Sequence, residues 1–356
     1  MIATRVRVAA PNQWAVETAE VGQPGVGQVR LELDSAGICG GDLSLLHGKN
    51  SVANYPTVLG HECVATVAEI GPQATLPVGA PVVIYPTISC GACAACLEGR
   101  TNNCPKMTVL GLTDRRGCFS SSFVLDESQC ILIPQKVFDR YGALIEPMAV
   151  AQHVIGRAGD ISGQRLLVLG AGSIGLAIIL TARAMGAAHI TAVDILPERA
   201  PAARTAGADT FLIMSGPNFV GVNGLTDRVP DVDVAFDVVA QPDTLALCQD
   251  RVSPGGRVVL VAAAKPAHTL VLDYERMYGA EQSVVSSRNY AREDFTAAAT
   301  LLASGNVDAA ILRTKVVTIA QFGSALDALH HHPEAHLKVM ITTDQLIGSR
   351  PILTNP

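Results

Sequence analysis

The chain has 356 residues, of which 49% are hydrophobic and 16% charged. That balance suits an ordered protein with room for two domains and excludes a disordered one. A formal net charge of −6, with no run of lysine or arginine, excludes a basic face for nucleic acid.

The opening Met1-Ile-Ala-Thr-Arg-Val-Arg-Val has no long apolar stretch after its arginines and reads as a first strand, not a secretory leader. No segment reaches the roughly 18 uninterrupted apolar residues of a membrane span. The richest, Gly175 to Met185, is broken by Thr181 and Arg183 and reads as a buried helix. A cytoplasmic protein with no membrane and no nucleic-acid partner is expected.

Up to about residue 150, short apolar runs recur at Gln28–Leu33, Val64–Ile70, Pro81–Tyr85, Phe123–Leu125 and Ile131–Ile133. Turn residues such as Gly71-Pro72 separate them, which predicts a mostly β domain. The pattern changes near residue 153. Strands are predicted at Arg165–Leu169, Ile190–Asp194, Thr210–Met214, Val232–Val238, Arg257–Ala262 and Val284–Ser287. Helices are predicted between them at Ser173–Met185, Glu198–Ala206 and Pro242–Val252. Strands alternating with helices give an α/β, doubly wound parallel sheet. The tail carries helices near Arg292–Ser304 and Ala320–His331 and strands near Lys315–Thr318 and Leu337–Thr342. It is too short to stand alone and is expected to return to the first domain. The expected division is 1–152 with 291–356, and 153–290.

Within the second domain, Leu169-Gly170-Ala-Gly172-Ser173-Ile174-Gly175 is a G-x-G-x-x-G turn between strand and helix. Gly170 permits the turn, Gly172 lets backbone approach a pyrophosphate, and Gly175 lets the helix pack on the sheet. The first helical N–H groups, from Ser173 and Ile174, then face the phosphates. Asp194 ends the next strand, where a carboxylate accepts from both ribose hydroxyls of NAD and repels the extra phosphate of NADP. Arg199 lies close enough to pack on adenine or, as the alternative, to stand exposed on its helix.

Nine cysteines are present, and four crowd into Cys90-x2-Cys93-x2-Cys96-x7-Cys104. In a reducing compartment such a cluster points to metal rather than disulfides. Four thiolates close one tetrahedral zinc, leaving no open position, so a lobe at 88–106 carries a structural ion. An iron–sulfur cluster is the rival. Cys63, Cys118, Cys130 and Cys248 read as ordinary buried thiols. His330-His331-His332 before Pro333 reads as a helix end complementing its dipole. His153, His189 and His268 read as structural.

Three further segments carry metal-ligand types: Gly37-Ile-Cys39-Gly-Gly41-Asp42, Gly60-His61-Glu62 and Glu146-Pro147. Taken with the cysteine lobe and the glycine turn, in this order, they resemble the zinc-dependent medium-chain dehydrogenases, in particular the sorbitol, threonine and sugar-acid dehydrogenase branch. The likeness runs nearly end to end. It implies a GroES-like, mostly β catalytic domain joined to a Rossmann domain. It also implies two zinc ions per chain and NAD as hydride carrier. By that resemblance Cys39 and His61 hold the catalytic zinc, and Glu62 or Glu146 supplies the carboxylate. Asp42 orients His61 through its other ring nitrogen. Arg288, in Ser286-Ser-Arg288-Asn289, is expected to bind a substrate carboxylate or the cofactor, with a structural ion pair as the alternative. Lys338 is expected near the cofactor or at the surface.

The resemblance implies reversible oxidation of a secondary alcohol on a small polyhydroxylated substrate, in a homodimer or homotetramer with sheet edges near 260–290 as a contact. The alternatives are an amino-alcohol or cyclitol dehydrogenase and a zinc-stabilised nucleotide-binding protein with weak catalysis. One departure stands out. The family usually carries Ser or Thr where this chain has Gly41, so the usual first hydroxyl of the proton path is missing. Ser44, His47, Glu62 and Glu146 are the candidates to replace it.

Overall fold

Apolar residues recurring along Gln28–Gly37 put Val29, Leu31 and Leu33 on one buried face, and this strand becomes the spine of a sheet. In the computed structural model, which describes residues 1–214, 228–262, 269–344 and 346, that strand pairs antiparallel with Glu62–Ile70 on one side. On the other it pairs antiparallel with Lys338–Thr342, Met340 standing opposite Gly37. Strands Pro81–Ile84 and Cys130–Leu132 extend the sheet beyond Glu62–Ile70, and Arg313–Thr318 extends it beyond Lys338–Thr342. Strand Ser122–Asp126 also pairs with Gln28–Gly37. The C-terminal tail is thus woven into the N-terminal sheet, and the core beneath it gathers Leu31, Leu45, Leu59, Phe119 and Phe322.

The chain divides into two compact units: residues 1–146, 291–305 and 312–356, and residues 147–290 with 306–311. The second unit holds a six-stranded parallel sheet. Its spatial order is Thr210–Ile213, His189–Asp194, Arg165–Leu169, Val232–Asp237, Val252–Leu260 and Ser283–Ser286. The order reverses direction between Arg165–Leu169 and Val232–Asp237, the topological switch point of a doubly wound sheet. Buried Leu167, Leu169, Val193, Ala235 and Val258 form its core. This unit is Rossmann-like, and the first is a mixed-sheet unit.

Two element boundaries differ from expectation. The fifth strand of the parallel sheet begins at Val252, ahead of the bulge that Pro254-Gly255-Gly256 introduces. The helix expected from Glu198 opens as a tight 3-10 turn, Pro197–Arg199, before Ala200–Ala206. Five helices were not signalled by periodicity: Gly40–Leu46, Ala94–Leu97, Gln135–Tyr141, Ile145–Ala158 and Tyr274–Gly279. The His330–His331 pair does close helix Phe322–His331. His268 lies outside the described residues. No helix among them is long and apolar enough to cross a membrane.

Candidate metal centres and nucleotide turn

Cys39 caps helix Gly40–Leu46, and Asp42 is the reason the cap closes. Asp42 Oδ2 accepts from the Cys39 N–H at 2.9 Å. Its Oδ1 accepts from the Gly60 N–H at 3.2 Å and lies 3.5 Å from His61 Nδ1, an ionic approach rather than a hydrogen bond. One buried carboxylate therefore ties the Cys39 turn to the segment that delivers His61. Strand Glu62–Ile70 then starts opposite Gly37. The result is that Cys39, His61 and Glu62 each bring one ligand atom within 4.8 Å of the others. Bonds of about 2.0–2.3 Å to one zinc span gaps of that order.

The surroundings fit a cation. Cys39 is half-buried, while His61 and Glu62 are 4% and 1% exposed. Glu62 Oε2 is buried without a hydrogen-bond partner. Burial opposes a charge on His61, yet Asp42 and then Cys39 outweigh it and hold the imidazole well above its ordinary range. The same anions that would favour a proton there favour a metal ion. Glu146, 4% exposed in the first turn of helix Ile145–Ala158, stands outside the 4.8 Å set. Its charge still acts on the neighbouring Lys338.

Lys338 corrects an expectation. It is not a surface lysine: it is 3% exposed, and its Nζ donates to Glu62 Oε1 at 2.7 Å and to the Ile38 carbonyl at 3.3 Å. The physical reason is strand pairing. Lys338–Thr342 lies against Gln28–Gly37, which sets the lysine beside Glu62 across 276 residues of sequence. Burial alone would depress the ammonium, but Glu62, Cys39 and Glu146 outweigh it and raise it above the usual lysine value. Gly37 makes the room: a Cβ there would stand 2.1 Å from Glu62 Oε2 and 3.3 Å from Lys338 Cδ. Spacing along the chain carried no signal of this pairing.

Of the candidates for the proton path, His47 is exposed. It ends helix Gly40–Leu46, and its Nδ1 is 2.9 Å from Asn12 Oδ1. Gly41 has room for a Cβ, which would make ordinary contacts with Leu112 at 3.4 Å and His61 Cε1 at 3.8 Å.

The second cluster is local. Cys90, Cys93, Cys96 and Cys104 bring their sulfurs within 4.8 Å of one another, wrapped by the short helix Ala94–Leu97 and the turn Thr101–Asn103. Cys93 and Cys96 sulfurs are 3.4 Å apart, and the Cys90 N–H points at Cys104 Sγ from 3.4 Å. Backbone N–H groups of Ala92 and Cys93 bring the Cys90 thiol down to about 6, into the range where thiolate prevails. Cys63, Cys118 and Cys248 are fully buried. Burial pushes the Cys63 and Cys248 thiols well up, and Cys130 up to about 12.

In the second unit, Gly170 adopts φ +95°, and a Cβ on Gly175 would stand 1.8 Å from the Gly170 carbonyl. That clash is what a side chain would cost the packing of helix Ser173–Ala184 on its strand. Gly172 caps this helix and has open space in front of it, with Ser173 and Ile174 half-buried behind. Asp194 ends its strand with Oδ2 accepting from Ala171 N–H at 2.6 Å and Oδ1 from Leu196 N–H at 3.0 Å. A carboxylate retains lone pairs beyond these two for a ribose. Arg199 is 8% exposed, not the exposed helix arginine of the alternative. Arg288 is exposed just past strand Ser283–Ser286.

One feature of this end of the sheet had no motif to announce it. Asp237, fully buried at the end of the strand beside Leu169, accepts from Val239 N–H at 3.0 Å, Ala240 N–H at 2.8 Å and Thr244 Oγ1 at 2.8 Å. It holds Ala240 at φ +51° and presses Val239 toward Gly170.

Two family descriptions match the chain: "Alcohol dehydrogenase GroES-like domain" over residues 25–135 and "Zinc-binding dehydrogenase" over residues 173–304. An L-galactonate-5-dehydrogenase of Escherichia coli is 31% identical, covering 85% of this chain and 88% of its own. The chain belongs to the zinc-type medium-chain dehydrogenases. A grapevine (Vitis vinifera) L-idonate 5-dehydrogenase is 30% identical over 82% of this dehydrogenase and 81% of its own length. The crystal structure of the alcohol dehydrogenase RspB from Escherichia coli CFT073, complexed with NADH, superposes with a TM-score of 0.89. It is 27% identical and covers 96% of this dehydrogenase and 99% of that chain.

Proposed function

We infer that this dehydrogenase oxidises a secondary alcohol of a sugar acid or polyol to a ketone, reversibly, with NAD. The observation that carries the reading is the mixed set of Cys39, His61 and Glu62, with ligand atoms within 4.8 Å. Three protein ligands of this kind leave a coordination position for a substrate oxygen, whereas the four-cysteine cluster leaves none. Zinc bound there supplies Lewis-acid polarisation of the carbinol oxygen, and NAD supplies the hydride acceptor.

The protein's own residues do the positioning. Asp42 fixes the Cys39 turn and faces His61. Lys338 holds one oxygen of Glu62. We assign Glu62 as the carboxylate ligand, because Glu146 lies outside the ligand set. Glu146 acts on the pocket by its charge. Gly170, Gly172 and Gly175 shape the turn for the pyrophosphate, with Ser173 and Ile174 offering N–H groups. Asp194 is the ribose acceptor that selects NAD, and Arg199 flanks it. Arg288 is our choice for a substrate or cofactor anion. Functionally we divide the chain into a catalytic part, 1–152 with 291–356, and an NAD-binding part, 153–290.

A homodimer or homotetramer fits the second unit. Strand Ser283–Ser286 is an edge of its sheet, and nearby Val271, Tyr274 and Tyr278 are 78%, 74% and 80% exposed. A reducing, cytoplasmic setting suits two thiolate-bearing metal sites.

The test is appearance of NADH absorbance with aldonates, alditols, threonine and inositols, each offered with NAD and with NADP. Turnover on an aldonate or alditol with NAD is expected. Turnover confined to threonine or inositols would move the substrate class, and none at all would favour a nucleotide-binding protein with weak catalysis.

A further inference from the structure

We propose that Lys338 is a positioning residue that competes with the metal ion for Glu62 and restricts that carboxylate to a single oxygen. The inference rests on the metal-centre reading above and deepens it.

Three observations carry it. Glu62 Oε1 is held by the Lys338 ammonium at 2.7 Å, and the same ammonium is fixed on its other side by the Ile38 carbonyl at 3.3 Å. Glu62 Oε2 is buried and has no hydrogen-bond partner. Finally, no side chain at position 37 would be compatible with this arrangement, since a Cβ would fall 2.1 Å from Oε2. An unsatisfied buried carboxylate oxygen costs free energy unless a donor or a cation meets it. One oxygen therefore has its cation inside the protein and the other waits for one.

Charge explains why this matters. Cys39 as thiolate, Glu62 and Glu146 place three negative charges around one divalent ion. Lys338 offsets one of them, while Asp42 adds a fourth behind His61. A lysine is a compact point charge on a long stem, able to hold one carboxylate oxygen without covering the other. Its charge also repels the ion and occupies Oε1, so Glu62 cannot close on the metal with both oxygens. The coordination stays labile, with a position that substrate can take. Without the lysine, Glu62 is free to chelate and the attraction for a divalent cation rises. The effect runs opposite to the loss of an ordinary supporting hydrogen bond, which weakens metal binding.

The experiment uses the full chain and reads metal directly. Zinc content is followed while a chelator strips the protein, for wild type, Lys338→Met and Lys338→Arg, and the visible spectrum is recorded after cobalt substitution. Wild type should give up one zinc readily and one slowly. In Lys338→Met the readily lost ion should bind about tenfold tighter or more, the other should be unchanged, and the cobalt bands should shift. Lys338→Arg should stay near wild type. Unchanged or weaker binding in Lys338→Met overturns the proposal. So does unchanged metal binding with weakened NADH binding, since that would return Lys338 to the cofactor. Should Lys338→Met fold poorly, Glu62→Gln with Lys338→Met removes both charges together. Against Glu62→Gln alone, the added Lys338→Met should then raise metal affinity by less than about tenfold, the direct repulsion alone being relieved; a gain of about tenfold or more would show that the lysine does not act through Glu62 and would also overturn it. A wild-type chain taking up only one zinc would instead defeat the metal-centre reading itself.

Discussion

The two cysteine-bearing centres are built on opposite plans. Cys90, Cys93, Cys96 and Cys104 come from one short loop, partly exposed, with four like donors. Cys39, His61, Glu62 and Lys338 come from three separate stretches, two of them joined only because Lys338–Thr342 pairs with Gln28–Gly37. The first centre needs its ion to hold its own loop together. The second is also held by Asp42 and by sheet pairing. A locally built site can be saturated with donors; an assembled one can leave a donor oxygen unsatisfied and a position open for chemistry.

The sharpest way to break that comparison is to damage each centre once. His61→Ala should lower turnover by about 10³-fold or more, the rate equivalent of several kcal/mol of lost charge stabilisation. Metal analysis should show one zinc retained and the thermal midpoint little changed. Cys96→Ser should do the reverse: the assembled zinc stays, while the loop from Cys90 to Cys104 opens to proteolysis and the protein loses stability. If both variants lost stability and activity together, the division into a structural and a reactive centre would fail.

Asp42→Asn sharpens the claim that the assembled centre is pre-positioned. The amide keeps one acceptor for the Cys39 and Gly60 N–H groups but loses the charge facing His61. Metal affinity at that centre should fall about 10- to 100-fold, with kcat falling less once zinc is in excess. Loss of zinc from the four-cysteine loop in the same variant would contradict the independence of the two sites.

The difference in plan also explains what was legible beforehand. The loop centre could be read from spacing, because all its donors lie within Cys90–Cys104. The parallel sheet and glycine turn were equally legible, each being a local pattern of period and composition. Helix Gly40–Leu46 was not, since two glycines open it and propensity argues against it; the Cys39–Asp42 cap overrides that preference. The burial of Lys338 was hidden for a related reason. Its neighbour Glu62 is set by strand register, which no short window of sequence contains. Asp237 was missed because a lone Asp ending a strand looks like any turn residue until its three donors are seen.

Gly41→Ser should have the smallest effect on the fold. The position is helical, its φ is not left-handed, and the nearest atoms to an added Cβ are Leu112 Cδ1 and Cδ2 at 3.4 Å. Glycine is the poorer helix former, so serine should leave stability unchanged or raise it by a few tenths of a kcal/mol, readable as a thermal midpoint at or slightly above wild type. Chemistry is where the two centres part again. A hydroxyl added at position 41 lies toward the assembled centre, with His61 Cε1 3.8 Å from the new Cβ, and should change the pH dependence of kcat by giving protons another route. The four-cysteine centre, saturated and distant in sequence, should keep its zinc at the same rate against a chelator. A thermal midpoint lowered by several degrees would mean that Leu112 and His61 cannot accommodate a side chain at position 41.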